Sequence, residues 1–367
     1  MQKSDVVEVF WDKRRVGRVS QTKTRLCVFE YDTDFIDCGS SVSPLELPLK
    51  AGLFTARPDP FLGNFGVFDD SLPDGWGALV LSRYLQKKGR RLSDLTIPQR
   101  LALVGSGGRG ALEFVPDESV TEDPAFADLQ ALARESREIL NDRSYNGEGI
   151  EEFQRRGGSS GGARPKIFLK ADGTEWLVKF RAQNDPADVG VCEYQYSLLA
   201  KACGVEMPAT RLFENRYFAA ERFDRRNGKK IHAVSAAGLL CADYRLPSLD
   251  YLHLFQLCCF LTHSEEELWK IFRLMTFNFL IGNKDDHAKN FAFLCEGGQW
   301  RFAPAFDLLP SDGMNGYRTT SVNDAVDPKT EDLIKVAERA GLKPDEAWRE
   351  FDRMAAVVLP GKAQIES

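Results

Sequence analysis

Short alternating runs open the chain. VVEVFWD, RRVGRVS and TRLCVFEYD place apolar residues at every second position between charged turns, which predicts strands with one buried face. SPLELPL and the Pro- and Gly-rich ARPDPFLGNFG then lead into LPDGWGALVLSRYLQKK, where Trp76, Leu79, Val80, Leu81 and Leu85 fall at helical spacing. A strand is expected at GALEFVP (110–116) and a helix over about 124–140. From 141 to 165 the run NDRSYNGEGIEEFQRRGGSSGGARP is rich in Gly, Ser and charge and poor in apolar residues, which marks a boundary.

Beyond it the pattern changes to hairpins. PKIFLK and EWLVKF alternate and are joined by ADGT, whose Asp-Gly suits a tight turn. A helix over about 187–203 stops at Gly204, and ATRLFE and RYFAAERF follow, joined around Asn215; RFDRRNGKKIHAV has Asn227-Gly228 at its tip. From Pro247 onward helices dominate. SLDYLHLFQLCCFLTH precedes SEEELWKIFRLMTFNFLIGN, which opens with Ser264 and Glu267 at capping-box spacing and has Phe272, Met275, Phe279 and Leu280 as its expected buried stripe. The hairpin NFAFLCEGGQWRFAPAF and helices around 329–340 and 344–358 close the chain.

Composition narrows the classes. The chain has 367 residues, enough for two or three domains, with 43% hydrophobic and 28% charged residues, as in ordinary soluble proteins. A formal charge of −6 argues against a general nucleic-acid surface, and KKGRR at 87–91 is a short basic run of the kind that usually forms a solvated face. The eight cysteines form no C-x-x-C pair and mostly sit in apolar runs, so they are expected to be reduced; with the four histidines dispersed, a structural zinc site is not expected. The N-terminus lacks the apolar core of a signal peptide, and no run approaches the ~18 to 20 apolar residues of a membrane span. A cytoplasmic protein with no membrane partner is expected.

Between Phe279 and Leu294 the chain reads FLIGNKDDHAKNFAFL, in which two apolar runs bracket a polar loop carrying Asp285, His287, Lys289 and Asn290. FDLLP, with Asp307, comes after the next hairpin. Phosphoryl transfer needs a carboxylate near the attacking hydroxyl and oxygen ligands for Mg²⁺ near the phosphates, and Asp285, Asn290 and Asp307 can supply them. An Asp and an Asn at this spacing are by themselves common turn formers. Here the D-x-x-x-x-N step matches a kinase catalytic loop, and Phe306-Asp307-Leu308 resembles the metal-binding DFG segment with Leu in place of Gly. The same step selects Asp285 rather than Asp286 as the base. His287 can bond a catalytic carboxylate or brace the loop, and bracing is the expected role.

Lys179 lies near the end of a hairpin strand, between Val178 and Phe180, and a helix bearing Glu193 comes next. In kinases a strand lysine paired with a helix glutamate positions the nucleotide phosphates; the plain alternatives are an edge-strand surface lysine and a solvated glutamate. Two glycine-rich stretches compete for the phosphate loop. GSGGRG at 105–110 fits G-x-G-x-x-G to the letter but lies far upstream of the lysine strand, so it is expected to be a turn. GGSSGGARPK at 157–166 abuts that hairpin, and its N–H groups, Gly161 and Gly162 included, can form an anion-binding nest with Lys166 adding charge. Ser159 and Ser160 are linker residues in the plain reading and possible phosphate acceptors beside a nucleotide.

Together these residues resemble the HipA family of bacterial toxin–antitoxin protein kinases. The resemblance is carried by VGRVS, SPLELPL, LPDGWG, VGSGGRGALEFVP, GGARPK, LLAKACGVEMP, AERFDR, FNFLIGNKDDHAKNFAFL and FDLLP, and IGNKDDHAKN is its most specific part. It implies an α+β, protein-kinase-like bilobal fold, with a β-rich N-lobe and a helical C-lobe, preceded by a small α/β subdomain. The expected divisions are an N-terminal subdomain at 1–140, an N-lobe with the glycine-rich loop at 141–240 and a helical C-lobe at 241–367.

By position, the resemblance implies an ATP- and Mg²⁺-dependent serine/threonine protein kinase. Asp285 is the base, Asn290 and Asp307 are Mg²⁺ ligands, Lys179 binds phosphate, and Glu221 and Phe223 in AERF give the hinge backbone that holds adenine. Ser159 falls where family members autophosphorylate, with Ser160 an equally open choice in this Gly-Ser-Ser-Gly-Gly loop. The implied partner is a small DNA-binding (HipB-like) antitoxin, through which alone DNA is contacted. The implied substrate is an aminoacyl-tRNA synthetase or another translation protein, whose phosphorylation arrests growth and underlies persistence. The alternatives are a small-molecule kinase of similar architecture and a nucleotide-binding scaffold (pseudokinase) that binds a repressor; the intact Asp285, Asn290 and Asp307 argue against the scaffold.

Overall fold

In the computed structural model, which describes residues 5–120, 127–157, 161–313 and 315–366, the alternating runs at the start of the chain form the strands Val6–Trp11, Arg14–Gln21 and Cys27–Tyr31. With Leu53–Thr55 and Leu112–Val115 they make a five-stranded antiparallel sheet in the order Leu53–Thr55, Cys27–Tyr31, Arg14–Gln21, Val6–Trp11, Leu112–Val115. Val7, Val9, Val19 and Phe29 are fully buried, and Phe29 packs with Phe65 and Phe68 under the sheet.

The chain divides into two compact units, Met1–Val191 with Arg211–Ala233 and Cys192–Thr210 with Val234–Ser367. In the first unit a second, four-stranded sheet has the order Lys166–Ala171, Thr174–Lys179, Tyr217–Glu221, Thr210–Phe213. Its first hairpin turns at Asp172 and Gly173, both at positive φ (53° and 77°), the geometry that favours Asp-Gly in a two-residue loop. The 141–165 stretch is more than a bare linker. It contains the helix Gly149–Gly157, whose Ile150 and Phe153 are buried. Phe153 stands edge-on to Trp76 of the helix Gly75–Lys87 at 4.9 Å and to Phe180 at 6.1 Å, tying both to one core. Each such ring pair adds about 1 kcal/mol beyond the area it buries.

GSGGRG is a docking turn. Gly110 N–H donates to Asp224 (2.9 Å), and Arg225 donates to the carbonyls of Gly110 and Gly108 (2.9 Å each). A Cβ on Gly110 would lie 2.9 Å from the Ala233 nitrogen, so only glycine allows this approach. Asp224 is buried between Arg222 and Arg225, and despite the burial these guanidinium groups hold its carboxyl well below the usual range.

His232, also buried in this unit, gives it an acid sensitivity. Its Nε2–H donates to Val42 O at 2.9 Å, its ring lies 4.5 Å from that of Trp11, and burial pushes its pKa down to about 4 from 6.5. The unfolded state therefore binds a proton that the folded state refuses, and stability falls as pH drops from about 6.5 towards 4. By linkage this costs about 2 kcal/mol between pH 7 and pH 5. Urea unfolding at the two pH values should show that loss in the wild type and a clearly smaller one in His232→Gln; equal losses would refute it.

The second unit is mainly helical, with Tyr251–Thr262, Glu265–Ile281, Thr330–Arg339 and Pro344–Ile365 around the hairpin Ala292–Glu296 and Gln299–Phe302. Phe272 and Met275 are buried as expected, while Phe279 and Leu280 are only half-buried, because Ile271, Leu274, Phe277 and Ile281 share the burial round the helix. The expected capping box at Ser264 does not form. Glu267 instead accepts from Phe302 N–H (2.6 Å) and Lys270 (2.6 Å), joining the helix to the hairpin. Glu350 is held down to about 2 by Arg353 and Arg273, a pairing that fastens Pro344–Ile365 to Glu265–Ile281. Among the described residues no helix is long and apolar enough to cross a membrane.

Candidate functional site

The long helix of the second unit ends where the predicted catalytic loop begins. Gly282, in the left-handed conformation at φ 78°, terminates it. Asn283 then turns back, its side-chain amide donating to Asn278 Oδ1 at 3.0 Å while its own Oδ1 accepts from Asp285 N–H at 3.1 Å. Asn290 Nδ2 donates to Asp285 O at 2.8 Å, so the backbone of Asp285 is fixed from both sides.

The adjacent carboxylates have opposite environments. Asp285 is exposed, whereas Asp286 is 1% exposed. Tyr251 OH donates to Asp286 at 2.9 Å and Arg318 at 3.3 Å, and Thr320 N–H adds another donor at 3.3 Å. Burial nonetheless raises the Asp286 pKa, with Arg318 acting against the rise. Arg318 also donates to Asn283 O at 2.7 Å, so one guanidinium braces both the loop and its buried carboxylate. It arrives there because Thr320–Ser321 pairs in parallel with Leu249–Asp250, just before the helix carrying Tyr251.

The FDLLP segment runs alongside the same loop. Asn283 and Ser311 form a bridge, Lys284 N–H donates to Ser311 O at 3.2 Å, and Asn283 Nδ2 lies 3.5 Å from Asp307 O. Asp307 sits at φ 57°, a left-handed conformation that non-glycine residues adopt at a cost and that clusters at functional sites. His287 accepts from Lys289 N–H through Nδ1 at 3.2 Å, and Lys289 Nζ lies 4.1 Å from the Tyr244 ring centre, so both residues brace the turn that carries Asn290.

The donor set suits Mg²⁺. Asp307 offers a carboxylate and Asn290 a carboxamide oxygen, both hard ligands. No group of three or more His, Cys, Asp or Glu side chains that could hold a metal occurs among the described residues. Mg²⁺ takes one or two carboxylates and completes its shell with phosphates and water, so it needs no such cage.

The first unit carries the predicted phosphate-binding lysines. Lys166 and Lys179 are opposite each other across the antiparallel hairpin, which puts both side chains on one face. Val178 and Phe180 are buried on the other side of the strand, while Lys179 is half-buried, with its Nζ 5.5 Å from the Phe218 ring centre. Lys166 is buried and bonds Gly161 O. Glu221 ends its strand opposite Trp176, and Phe223 lies two residues on; both are half-buried. Glu193, on the helix Val189–Ala202 that runs from one unit into the other, is buried. Ser159 and Ser160 lie outside the described residues.

Two features escaped the sequence reading. Arg318 gave no local signal, because its partners Asn283 and Asp286 are more than thirty residues away. Asp74 gave no signal of its own either, because the Gly162 N–H that its carboxylate bonds lies far along the chain.

Residues 7–115 match the family model described as the HipA N-terminal domain, and residues 158–360 match the HipA-like C-terminal domain. "Putative kinase Y4mE" of Sinorhizobium fredii is 25% identical over an alignment covering 97% of this chain and 87% of that protein. A chain of the Shewanella oneidensis MR-1 toxin–antitoxin complex of HipA, HipB and operator DNA has the same fold, with a TM-score of 0.72 at 20% identity, over 98% of this chain and 90% of that one. Both family domains are matched in order and the second alone spans more than half of the residues: this chain belongs to the HipA family.

Proposed function

We propose that the chain is an ATP- and Mg²⁺-dependent serine/threonine protein kinase acting as the toxin of a toxin–antitoxin pair. The observation that carries this reading is the contrast within the catalytic loop. Asp285 is exposed and held by its backbone, Asp286 is buried beneath it, and Asp307 and Asn290 belong to the same braced assembly.

In the proposed reaction Asp285 orients a substrate hydroxyl and takes its proton. The hydroxyl oxygen bonds to the γ-phosphorus, the bond from that phosphorus to the β,γ-bridging oxygen breaks, and ADP leaves. Asn290 and Asp307 would hold Mg²⁺, which when bound neutralises phosphate charge. Lys179 and Lys166 are the proposed phosphate-binding lysines, Glu193 is the proposed helix glutamate of the nucleotide site, and the backbone of Glu221 to Phe223 is proposed to receive adenine. Autophosphorylation is proposed at Ser159 or Ser160. A HipB-like DNA-binding antitoxin is the proposed partner, supported by the complex in which the Shewanella relative occurs. The proposed substrate, an aminoacyl-tRNA synthetase or another translation protein, rests on the family resemblance alone.

The test is incubation with γ-labelled ATP and Mg²⁺, alone and with a bacterial extract. Phosphoserine or phosphothreonine on the chain or on an extract protein, abolished by chelator, is the expected result. Label confined to small metabolites would replace this reading with a small-molecule kinase, and nucleotide binding without transfer would replace it with a scaffold.

A further inference from the structure

The downstream limb of the glycine-rich loop is held at Gly162 by the N-terminal part of its own unit. The helix Gly75–Lys87 begins at Asp74, a position where an aspartate ordinarily caps its own helix, yet Asp74 makes no such cap bond. Its carboxylate instead accepts from Gly162 N–H, and Trp76 N–H donates to Gly162 O at 2.9 Å. Gly162 is therefore held at its N–H and at its C=O by residues two apart in LPDGWG. Between them, Gly75 (φ 46°) comes so close that a Cβ there would lie 2.6 Å from the Gly162 carbonyl carbon. Such an approach is open only to glycine.

The rest of this limb is tied as well. Lys166 bonds Gly161 O, Arg164 makes two bonds to Asp185 (2.9 and 3.1 Å), and Phe180 N–H donates to Pro165 O at 2.8 Å. These ties come from the hairpin and from residues 180–185 directly after it. The Asp74–Trp76 grip reaches this limb from the N-terminal segment.

We propose that Asp74, with Gly75 and Trp76, is a positioning element for nucleotide, anchoring the downstream limb of the glycine-rich loop so that its amides and Lys166 are preset for phosphate. The proposal rests on the kinase reading for its ligand but not for its anchor. A loop whose shape is fixed in advance binds without the cost of ordering it, and releasing the anchor should weaken nucleotide about tenfold, the worth of one charge-assisted hydrogen bond. Asn at 74 can still accept from Gly162 N–H and should restore most of the affinity.

The experiment uses the full chain as wild type, Asp74→Ala and Asp74→Asn. Affinity is read by titration with trinitrophenyl-ATP and Mg²⁺, and the anchor by amide hydrogen exchange of the segment around Gly162 without nucleotide, with thermal unfolding as the check on folding. Asp74→Ala is expected to speed exchange at that segment and weaken the probe about tenfold, with Asp74→Asn close to wild type. Unchanged exchange and affinity in Asp74→Ala would overturn the proposal. So would tighter nucleotide binding in both variants, which would make the Asp74 carboxylate a competitor of phosphate. If the wild type binds no nucleotide, the kinase reading falls and the nucleotide half with it, while the exchange comparison still decides whether the anchor exists.

Discussion

Asp285→Asn should lower phosphoryl transfer by about a thousandfold or more and leave the unfolding free energy within about 0.5 kcal/mol of wild type. The rate loss comes from removing the group that receives the hydroxyl proton, together with the negative charge that orients it. The unchanged stability reflects how the residue is held. Asp285 is exposed, and its N–H to Asn283 and its C=O from Asn290 are backbone bonds that an asparagine keeps. Nucleotide affinity should change little, since the proposed phosphate contacts lie elsewhere. Turnover of labelled ATP, probe binding and denaturant unfolding on one preparation separate these effects. If Asp285→Asn retains more than a tenth of wild-type turnover, the base is not Asp285 and the proposed mechanism does not survive.

Much of this loop could be read from the sequence, for physical reasons. A loop between two apolar runs must be pinned at both ends, and a D-x-x-x-x-N step lets one side chain reach back to the other's backbone, as Asn290 does to Asp285 O. The hairpins were legible because Asp172-Gly173 and Asn227-Gly228 tolerate positive φ, and the helix stop at Gly204 for the same reason. The features that stayed hidden depend on partners distant in sequence. Ile150 and Phe153 are enough to bury one face of the helix Gly149–Gly157, but two apolar residues among charges and glycines look like a linker until Trp76 and Phe180 are beside them. Glu267 has the spacing of a capping box, yet Phe302 N–H, in a buried hairpin, has the stronger need of an acceptor. The preference for Asp285 over Asp286 came from spacing alone. That Asp286 lies buried against Arg318 and Tyr251 while Asp285 is exposed is visible only in the fold.

Arg318→Met should destabilise the second unit by about 3 kcal/mol at neutral pH and carry catalysis down with it. Arg318 and Asp286 are 6% and 1% exposed at the side chain, so removing one leaves the other as a buried charge with its compensation gone. The methionine fills much of the space but cannot donate to Asn283 O, whose bond at 2.7 Å helps fix the turn leading to Asp285. Loss of rate is therefore expected even where the variant is fully folded, which sets it apart from Asp285→Asn, where stability is kept. The pH dependence has a definite sign. Burial already raises the Asp286 pKa and Arg318 opposes the rise, so without the guanidinium the folded-state value climbs further above its unfolded value. A carboxyl with a raised folded-state pKa favours the fold while protonated and loses that contribution as pH increases. The deficit of Arg318→Met relative to wild type should accordingly shrink as pH is lowered from 7 towards about 4.5. Adding Asp286→Asn to Arg318→Met removes the stranded charge, so the double variant should be more stable than Arg318→Met alone at about pH 7 and should lack its extra pH dependence. Additive losses in this cycle, or a deficit in Arg318→Met that is the same at both pH values, would mean that Arg318 braces the loop only through the Asn283 carbonyl.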